Sequence, residues 1–286
     1  MSRIFSQCNN LQTIINFNTG NVTSMYWMFQ GCTNLTTIPQ FDTSNVTSMV
    51  GMFLGCSNLT NVPQFDTSNV TSMVEMFRHC YNLTNVPQFN TNNVKDTSYM
   101  FSNCTNLTTV PNFNTSNVTS MMSMFFKCTN LTTIPNFDTS NVINMYAMFD
   151  GCYNLLNILD FNTSNVTNMA NMFVVCTNLT TMPNFNTSNV INMYSMFQSC
   201  TNLTNIPNFN TSKVISMMYM FTSCSNLSEA SYANIVNSLP PASQLSNQYI
   251  ASMGLNVNRF TSAQNIILQN KGYLEFQQNY YTIIYS

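Results

Sequence analysis

The ten cysteines of this 286-residue chain are evenly spaced, and their spacing constrains the fold more than any other feature. They stand at positions 8, 32, 56, 80, 104, 128, 152, 176, 200 and 224, each 24 residues after the last. A fixed period of this length is typical of a supersecondary unit stacked on copies of itself. We therefore predict a repeat solenoid of nine 24-residue units, which fill residues 8–223 without insertion or deletion.

One repeat runs from Cys128 to Gly151 and contains three groups of apolar residues. Leu131 with Ile134 is a short group that ends at proline, and Val142 with Met145 is a second. Both are typical of short strands. The third group has the i, i+3, i+4, i+7 spacing of a short helix: Met145, Met148, Phe149 and Cys152. Each coil is thus predicted to contain short parallel β-strands and one short helix.

Two positions of the repeat are predicted to form structural ladders inside the solenoid. Side chains stacked in register point the same way, which is the wrong torsion for a disulfide. We therefore expect free, buried thiols at Cys32, Cys56, Cys80, Cys104, Cys128, Cys152, Cys176 and Cys200. The asparagine two residues after each cysteine is expected to turn inward and bond the backbone at the coil corner: Asn34, Asn58, Asn82, Asn106, Asn130, Asn154, Asn178 and Asn202.

Seven of these asparagines begin an Asn-Leu-Thr glycosylation sequon. Glycans at buried asparagines would prevent the coils from stacking. We therefore predict that the chain does not pass through a eukaryotic secretory pathway.

The composition excludes some classes of partner. Only 6% of the residues are charged, and the seven basic residues are scattered, so a nucleic-acid partner is not expected. No run approaches eighteen apolar residues, and the chain is expected not to span a membrane. The first residues also lack an apolar stretch of signal-peptide length, so we expect no export signal in this chain.

Catalytic and metal-binding chemistry finds little support. The only histidine is His79, and a solvated side chain is the favoured interpretation. Asp42, Asp66 and Asp138 share one corner position that six other coils fill with asparagine, so a calcium site is not favoured. The 22 methionines recur at core spacings and are interpreted as packing residues. We expect no enzyme, no cofactor and no metal.

Recognition in a solenoid depends on exposed positions that vary from coil to coil. In the segment predicted to be helical these positions are often aromatic or aliphatic, and they could contact a protein partner or only pack against each other. The candidate contact residues are Tyr26, Trp27, Leu54, Arg78, Tyr99, Phe126, Tyr146, Val174, Tyr194 and Tyr219.

Rows of threonine are the alternative binding surface. They are expected on the strand faces, as in Thr36, Thr60, Thr84, Thr108, Thr132, Thr180 and Thr204. Such a row could bind glycans or, less favourably, order water as ice-binding faces do, although threonine also simply suits exposed strands.

The ends depart from the repeat. Residues 1–7 are predicted to be a degraded N-terminal cap, 8–226 the solenoid, and 227–286 an α+β capping segment. A helix is expected over 231–239 before Pro240-Pro241, and a second from Thr261 or Ser262 to Asn270. Strands are expected at 273–276 and 280–284. The segment would cover the exposed strand edges of the last coil.

The Leu, Cys and Asn positions, the Met-Phe-x-x-Cys run and the Phe-Asp-Thr-Ser-Asn-Val-Thr-x-Met string together resemble the BspA-like leucine-rich-repeat surface proteins of bacteria and some protists. The resemblance covers residues 8 to about 226. It departs where the prolines from Pro39 to Pro207 shorten the end of the first strand. It implies a leucine-rich-repeat solenoid with a role in adhesion or surface display, and no catalytic residues carry over.

Two functions from different classes remain open. One is a surface adhesin that binds a host protein or glycan, as the resemblance implies. The other is a structural component of a phage virion, such as a fibre, baseplate or decoration protein, which the low charge and the missing export signal favour. An intracellular scaffold is a third. The corresponding locations are a bacterial or phage particle surface, or the cytoplasm.

Overall fold

The computed structural model describes residues 1–246 and 250–273, and there the chain winds into a solenoid with one coil per 24 residues. Parallel β-bridges join equivalent positions of successive coils, from Ser24↔Ser48 to Asn192↔Ser216. Backbone hydrogen bonds repeat with the same period, such as Thr47 N to Thr23 O and Thr71 N to Thr47 O, both 2.9 Å. The predicted repeat solenoid is confirmed.

The internal structure of each coil differs from the prediction. Over residues 1–227 the described chain contains turns and isolated bridges, with neither a helix nor an extended strand. The helical prediction was wrong because alternate peptide groups bond in different directions. Met28 N donates to Met25 O within its own coil at 3.2 Å, whereas Trp27 N donates to Val50 O of the next coil at 3.0 Å. The apolar spacing is therefore that of consecutive turns.

Two residues in each run of turns have positive φ, four positions apart. They are Trp27, with φ 53°, and Gly31, with φ 74°, in the first full coil. Each is the third residue of a turn, where a type II turn needs positive φ. Residues with side chains also occupy these positions, including Val175 with φ 57°. This left-handed conformation costs about 1–2 kcal/mol for a residue with a Cβ. Bonds to the next coil hold it in place.

The core is made of columns of identical side chains. One column of phenylalanines runs coil by coil from Phe5 to Phe221, with neighbouring ring centroids 5.4–5.9 Å apart. Leucine, valine, methionine and cysteine form parallel columns that are almost wholly buried. Burying one such side chain is worth about 1.5–3 kcal/mol. A shift in register would place polar residues in these columns, so burial fixes the 24-residue period.

Helices α1 (Glu229–Ser238) and α2 (Ser262–Asn270) follow the last coil. They agree with the two predicted helices. The side chain of Thr261, one of the two residues predicted to cap the helix, accepts from Gln264 N and forms a capping box with it. Three 3₁₀ helices lie between them, at Ala242–Gln244, Ile250–Met253 and Val257–Arg259. The predicted strand at 280–284, and all of 273–276 except Tyr273, lie outside the described residues.

This segment closes the C-terminal end of the solenoid. Tyr232, Ile235 and Val236 of α1 are buried against the last coil. Phe221 N donates to Met253 O at 2.8 Å, so residues 250–253 continue the bonds of a further coil. Residues 250–253 thus cover part of the backbone edge of the last coil, and they pair with it through turns rather than through strands.

Candidate functional site

The runs of turns build one continuous surface, which we call the turn face: residues 26–31 and their equivalents at 24-residue intervals. Because Met25, Met28 and Phe29 point into the core, the intervening side chains point outward. All the predicted contact residues lie on this face, Tyr219 exposed and the others partly exposed: Tyr26, Trp27, Leu54, Arg78, Tyr99, Phe126, Tyr146, Val174, Tyr194 and Tyr219. The structure places them on one surface.

At the N-terminal end of the turn face, a cation covers two aromatic rings. The rings of Tyr26 and Trp27 stack 5.0 Å apart at 10°. The guanidinium of Arg3 lies 4.5 Å from the Trp27 ring centre and 5.5 Å from that of Tyr26. Sequence reasoning missed Arg3, although it stands 24 residues before Trp27 and so occupies the same position one coil earlier. Such cation–π contacts stabilise by about 0.5–1 kcal/mol at exposed sites.

Gly51 lies directly against the indole of Trp27. A Cβ atom added at Gly51 would lie only 2.4 Å from Cδ1 of the indole. Because Gly51 has no side chain, the indole of Trp27 can lie flat along the solenoid.

The middle coils repeat the combination of aromatic ring and cation with other residues. Arg78 forms an ion pair with Glu75, and its guanidinium lies 5.1 Å from the Tyr99 ring centre. The Lys127 ammonium lies 5.1 Å from the ring of Phe126. Cations and rings together therefore recur at three places along the first five coils.

His79 is not the solvated side chain that the sequence suggested. It is half-buried, and its Nδ1 lies 3.1 Å from the Tyr81 hydroxyl. Burial, and then the neighbouring Arg78 charge, lower the pKa of His79. The His79 ring packs edge to face against the Tyr81 ring, with the ring centres 5.7 Å apart.

The later coils carry aromatic rings with neutral partners. The Tyr146 hydroxyl accepts from Asn171 Nδ2 at 3.0 Å, and Tyr194 meets Tyr219 edge to face at 5.7 Å. Asp150 is the charged exception, and burial raises its pKa to about 6 although Lys127 opposes the shift. The turn face is thus cationic and aromatic toward the N-terminus, whereas toward the C-terminus its aromatic rings have neutral partners.

The cysteine column lies in the core. The cysteines from Cys32 to Cys224 are buried free thiols, while Cys8 is exposed. Each buried sulfur donates to a phenylalanine carbonyl 27 residues earlier, as Cys128 Sγ does to Phe101 O at 3.0 Å. Burial raises the pKa of Cys32 to about 11 and that of Cys224 to about 12. Thiols with raised pKa in apolar surroundings are unreactive packing groups.

The asparagine ladder exists but lies on the outside, so the predicted inward orientation is wrong. Asn34, Asn58, Asn82, Asn106, Asn130, Asn154, Asn178 and Asn202 are all exposed. They bond each other rather than the backbone: Asn58 Nδ2 donates to Asn34 Oδ1 at 3.4 Å. The corner backbone does not need them, because Asn58 N donates directly to Thr33 O at 3.2 Å. Because the sequons are exposed, glycans attached there would not prevent the coils from stacking. The prediction that the chain avoids a eukaryotic secretory pathway is therefore no longer supported.

Threonine fills the inward polar role instead. The threonine after each corner Asx residue is buried. Apart from Thr43, and from Thr211, which donates to Ser238 O of α1, its hydroxyl donates to a carbonyl of the next coil, as Thr115 Oγ1 does to Asp138 O at 2.8 Å. The recurrence of Asp/Asn-Thr in the repeats was the sequence signal. The Asx side chain accepts locally: Asp42 Oδ1 accepts from Ser44 Oγ at 2.7 Å, and the hydroxyl lowers the pKa of Asp42. This is turn chemistry.

The predicted threonine row is exposed or partly exposed, and four of its hydroxyls donate to carbonyls of the preceding coil, those of Thr36, Thr84, Thr132 and Thr204. Thr204 Oγ1 donates to Thr180 O at 3.0 Å, for example, which leaves only acceptor lone pairs for a ligand. One coil interrupts the row with three exposed apolar residues, Tyr153, Leu156 and Leu159, which are 41%, 49% and 39% exposed. The sequence analysis did not single out this apolar patch.

No His, Cys, Asp or Glu cluster suited to a metal ion occurs in the described part of the chain. Likewise, none of its described helices has the length and apolar character needed to cross a bilayer.

Residues 1–243 match a repeated family profile in four overlapping segments, 1–110, 81–157, 103–182 and 152–243. The chain belongs to the family described as Mycoplasma protein of unknown function, DUF285. No curated protein is significantly similar to this DUF285 chain.

Solved structures similar to this DUF285 protein are bacterial leucine-rich-repeat proteins. One from T. pallidum is 18% identical, with 68% of this chain and 77% of that chain covered and a TM-score of 0.38. One from Eubacterium ventriosum is 15% identical, with coverages of 77% and 78% and a TM-score of 0.36. A leucine rich cell surface protein from Faecalibacterium prausnitzii is 15% identical, with coverages of 76% and 82% and a TM-score of 0.30.

The four overlapping family matches agree with a chain that is built of repeats. The likenesses to solved structures are distant, so the description of the solenoid rests on its own coil-to-coil bonds.

Proposed function

We propose that this DUF285 protein is a non-enzymatic binding module that engages a protein partner with its turn face. The observation that carries the proposal is the set of partly exposed aromatic rings on that face, which change from coil to coil while the core columns repeat. Tyrosine, tryptophan and arginine dominate the energetic centres of protein interfaces. A solenoid that only had to be stable would not need them at exposed positions.

A protein partner fits this surface better than a glycan does. Nine coils about 4.8 Å apart give a face about 40 Å long, which is the scale of a protein interface. The cationic aromatic half would contact acidic or apolar side chains, and the tyrosine hydroxyls of the other half would donate hydrogen bonds. Adhesion or surface display, as the resemblance implies, is the setting that we propose for this binding.

The test uses substitutions that another coil already carries. Tyr99→Ser reproduces Ser123 and Ser195, and Tyr146→Ser reproduces Ser98, at equivalent positions, so the fold should persist. Binding of the labelled protein to bacterial and animal cell surfaces, before and after protease treatment of the cells, is compared between variants. We expect at least a tenfold loss of affinity for the double variant, which corresponds to about 1.4 kcal/mol.

The matched control is Thr84→Ser in the threonine row, which should bind as wild type does. Loss of binding by variants of the threonine row with unchanged binding by Tyr99→Ser and Tyr146→Ser would move the site to the threonine row. Binding that survives protease treatment but not glycosidase treatment would identify a glycan partner and contradict the proposal.

The apolar patch of Tyr153, Leu156 and Leu159 favours a second candidate, a structural subunit of a larger assembly such as a virion. Exposed apolar patches mark contacts between subunits. Sedimentation of the purified protein tests this candidate: concentration-dependent assembly that Leu156→Thr abolishes would support it, and a monomer at all concentrations would not.

A further inference from the structure

The asparagine ladder on the outside of the solenoid is more uniform than its structural role requires. All ten cysteines are followed two residues later by asparagine, from Asn10 to Asn226, and each of these side chains is exposed. Where neighbouring ladder side chains bond, the distances from Nδ2 to Oδ1 are 3.3–3.4 Å, longer than the usual range for an N–H···O bond. By comparison, Asn45 Nδ2 donates to Gly20 O at 2.7 Å. The long bonds of the ladder therefore do not explain why every coil keeps the asparagine.

Turn chemistry does not require asparagine at this position either. Asparagine, aspartate and serine all suit turns, and the other corner of the coil uses the first two, since Asp42 and Asp66 stand where another coil has Asn114. Asp42 and Asp66 lie in successive coils, so the solenoid tolerates carboxylates one coil step apart. The ladder keeps the amide throughout. An amide differs from a carboxylate because it has donors as well as acceptors.

Each amide in the middle of the ladder has hydrogen-bonding capacity left for a ligand. An asparagine side chain has two N–H donors and an oxygen with two lone pairs. The amide of Asn82 donates one hydrogen to Asn58 Oδ1 and accepts one from Asn106 Nδ2, both at 3.3 Å. One donor and one lone pair remain, about 4.8 Å from the same pair in the next coil. A sugar hydroxyl both donates and accepts, and so complements such a pair.

Two exposed tyrosines stand beside the ladder. Tyr81 and Tyr153 directly precede ladder asparagines and are 43% and 41% exposed. Most other coils have threonine or serine at this position, so the fold does not need the rings. The two tyrosines are three coil steps apart, about 14 Å. The negative face of an aromatic ring attracts the C–H groups of a sugar ring, so the two tyrosines would contact sugars three units apart in an extended chain.

The absence of charge along the ladder limits the kind of chain that it would bind. Neither the ladder positions nor the positions directly before them carry a charged residue, from Asn9 to Asn226. A polyanion would find no cation there. In an extended β-1,4-linked polysaccharide, each sugar advances the chain by a length close to one coil step. A neutral chain of this kind would therefore repeat the same contacts in successive coils.

We propose that the asparagine ladder, with Tyr81 and Tyr153, binds a neutral, unbranched β-1,4-linked polysaccharide that lies along the solenoid axis. The two tyrosines stack on sugars, and the amides between them bond the sugar hydroxyls. The site shares no residue with the candidate contact residues of the turn face and is independent of the function proposed for that face.

Calorimetric titration of the full chain with β-1,4-linked hexamers of glucose and of N-acetylglucosamine tests the proposal. A hexamer can contact both tyrosines, whereas a disaccharide can reach only one. We expect one of the hexamers to bind at least tenfold more tightly than its disaccharide. Tyr81→Ser and Tyr153→Thr, which reproduce Ser57 and Thr129 at the same repeat position, should together weaken hexamer binding at least tenfold.

Asn106→Asp tests the amides that lie between the two tyrosines. It replaces donors by acceptors and should weaken hexamer binding at least threefold. Asn114→Asp is the matched control, because it makes the same change at the other corner, where Asp138 already stands in the next coil. It should leave binding unchanged, as should Tyr99→Ser with Tyr146→Ser on the turn face. Circular dichroism verifies that all variants retain the solenoid.

Failure of both hexamers to bind would overturn the proposal. So would equal affinity for a hexamer and its disaccharide, or equal affinity for the α-1,4-linked glucose hexamer, which coils instead of extending. Loss of binding in the turn-face variants, with unchanged binding by Tyr81→Ser and Tyr153→Thr, would place the sugar on the turn face and contradict the assignment.

Discussion

Replacing Gly51 by alanine tests how tightly the turn face is packed. Gly51 has φ +57°, which costs a residue with a Cβ about 1–2 kcal/mol. The new methyl group would also lie 2.4 Å from Trp27 Cδ1 and must push the indole out of its rotamer, at about 0.5–1.5 kcal/mol. The expected loss of stability is therefore about 1.5–3.5 kcal/mol.

The single tryptophan of the chain makes the displacement visible. The emission maximum of Trp27 should shift to the red in Gly51→Ala, and urea unfolding should show the loss of stability. In a Trp27→Ala background, Gly51→Ala should cost only the backbone part, about 1–2 kcal/mol.

Ala147→Gly is the matched control, because Ala147 occupies the equivalent position with φ +50°. It should change stability by less than about 1 kcal/mol, since the relief of φ is offset by the greater freedom of glycine in the unfolded chain. Equal costs of Gly51→Ala with and without Trp27 would refute the proposed contact.

Further predictions concern the core and the period. Iodoacetamide should label Cys8 alone in the native protein and all ten cysteines after denaturation, because the other nine are buried. Since burial raises the thiol pKa above its usual 9.0, the unfolded chain ionises first. The free energy of unfolding, measured with urea, should therefore fall as pH rises above about 9, by about 1.4 kcal/mol per thiol and pH unit, and less steeply in Cys128→Ala. Leu131→Ala should cost about 2–5 kcal/mol through its cavity. Thr132→Ala and Asn130→Ala should each change the free energy of unfolding by less than about 0.5 kcal/mol. A large loss of stability in Asn130→Ala would contradict the exposed position of Asn130. Deletion of residues 128–151 should leave a folded solenoid about 5 Å shorter, and an aggregated product in size-exclusion chromatography would contradict the independence of the coils.

The period, the core columns and both C-terminal helices could be predicted because each depends on local pattern. A 24-residue interval in cysteine, leucine and phenylalanine predicts stacking, and the Thr261 capping box predicts the start of α2. A helix could not be distinguished from consecutive turns in each coil. The i, i+3, i+4 pattern of Met145, Met148 and Phe149 indicates which side chains point inward, but not which carbonyl accepts from each backbone N–H. That choice is made by the neighbouring coil.

The positions that lie on the turn face were predicted, but the contacts between their side chains were not. Variable positions pointed to Tyr26 and Trp27, yet their contact with Arg3 depends on the stacking of separate coils. The asparagine ladder was placed on the wrong side because inward and outward polar rows repeat equally well in sequence. Only burial in the structure distinguishes the two rows: the threonines such as Thr115 are buried, whereas the ladder asparagines such as Asn106 are exposed.

The hydrogen bonds between coils run along the axis of the solenoid, and this direction determines how the protein would respond to a pulling force. Tension applied to the two ends would act on the bonds of one junction at a time, so coils should peel off singly rather than yield together. Each released coil frees 24 residues, or about 80 Å of contour, in place of about 5 Å of folded length. A surface protein built this way would act as an extensible tether, lengthening in equal steps under load and shortening again as the coils restack.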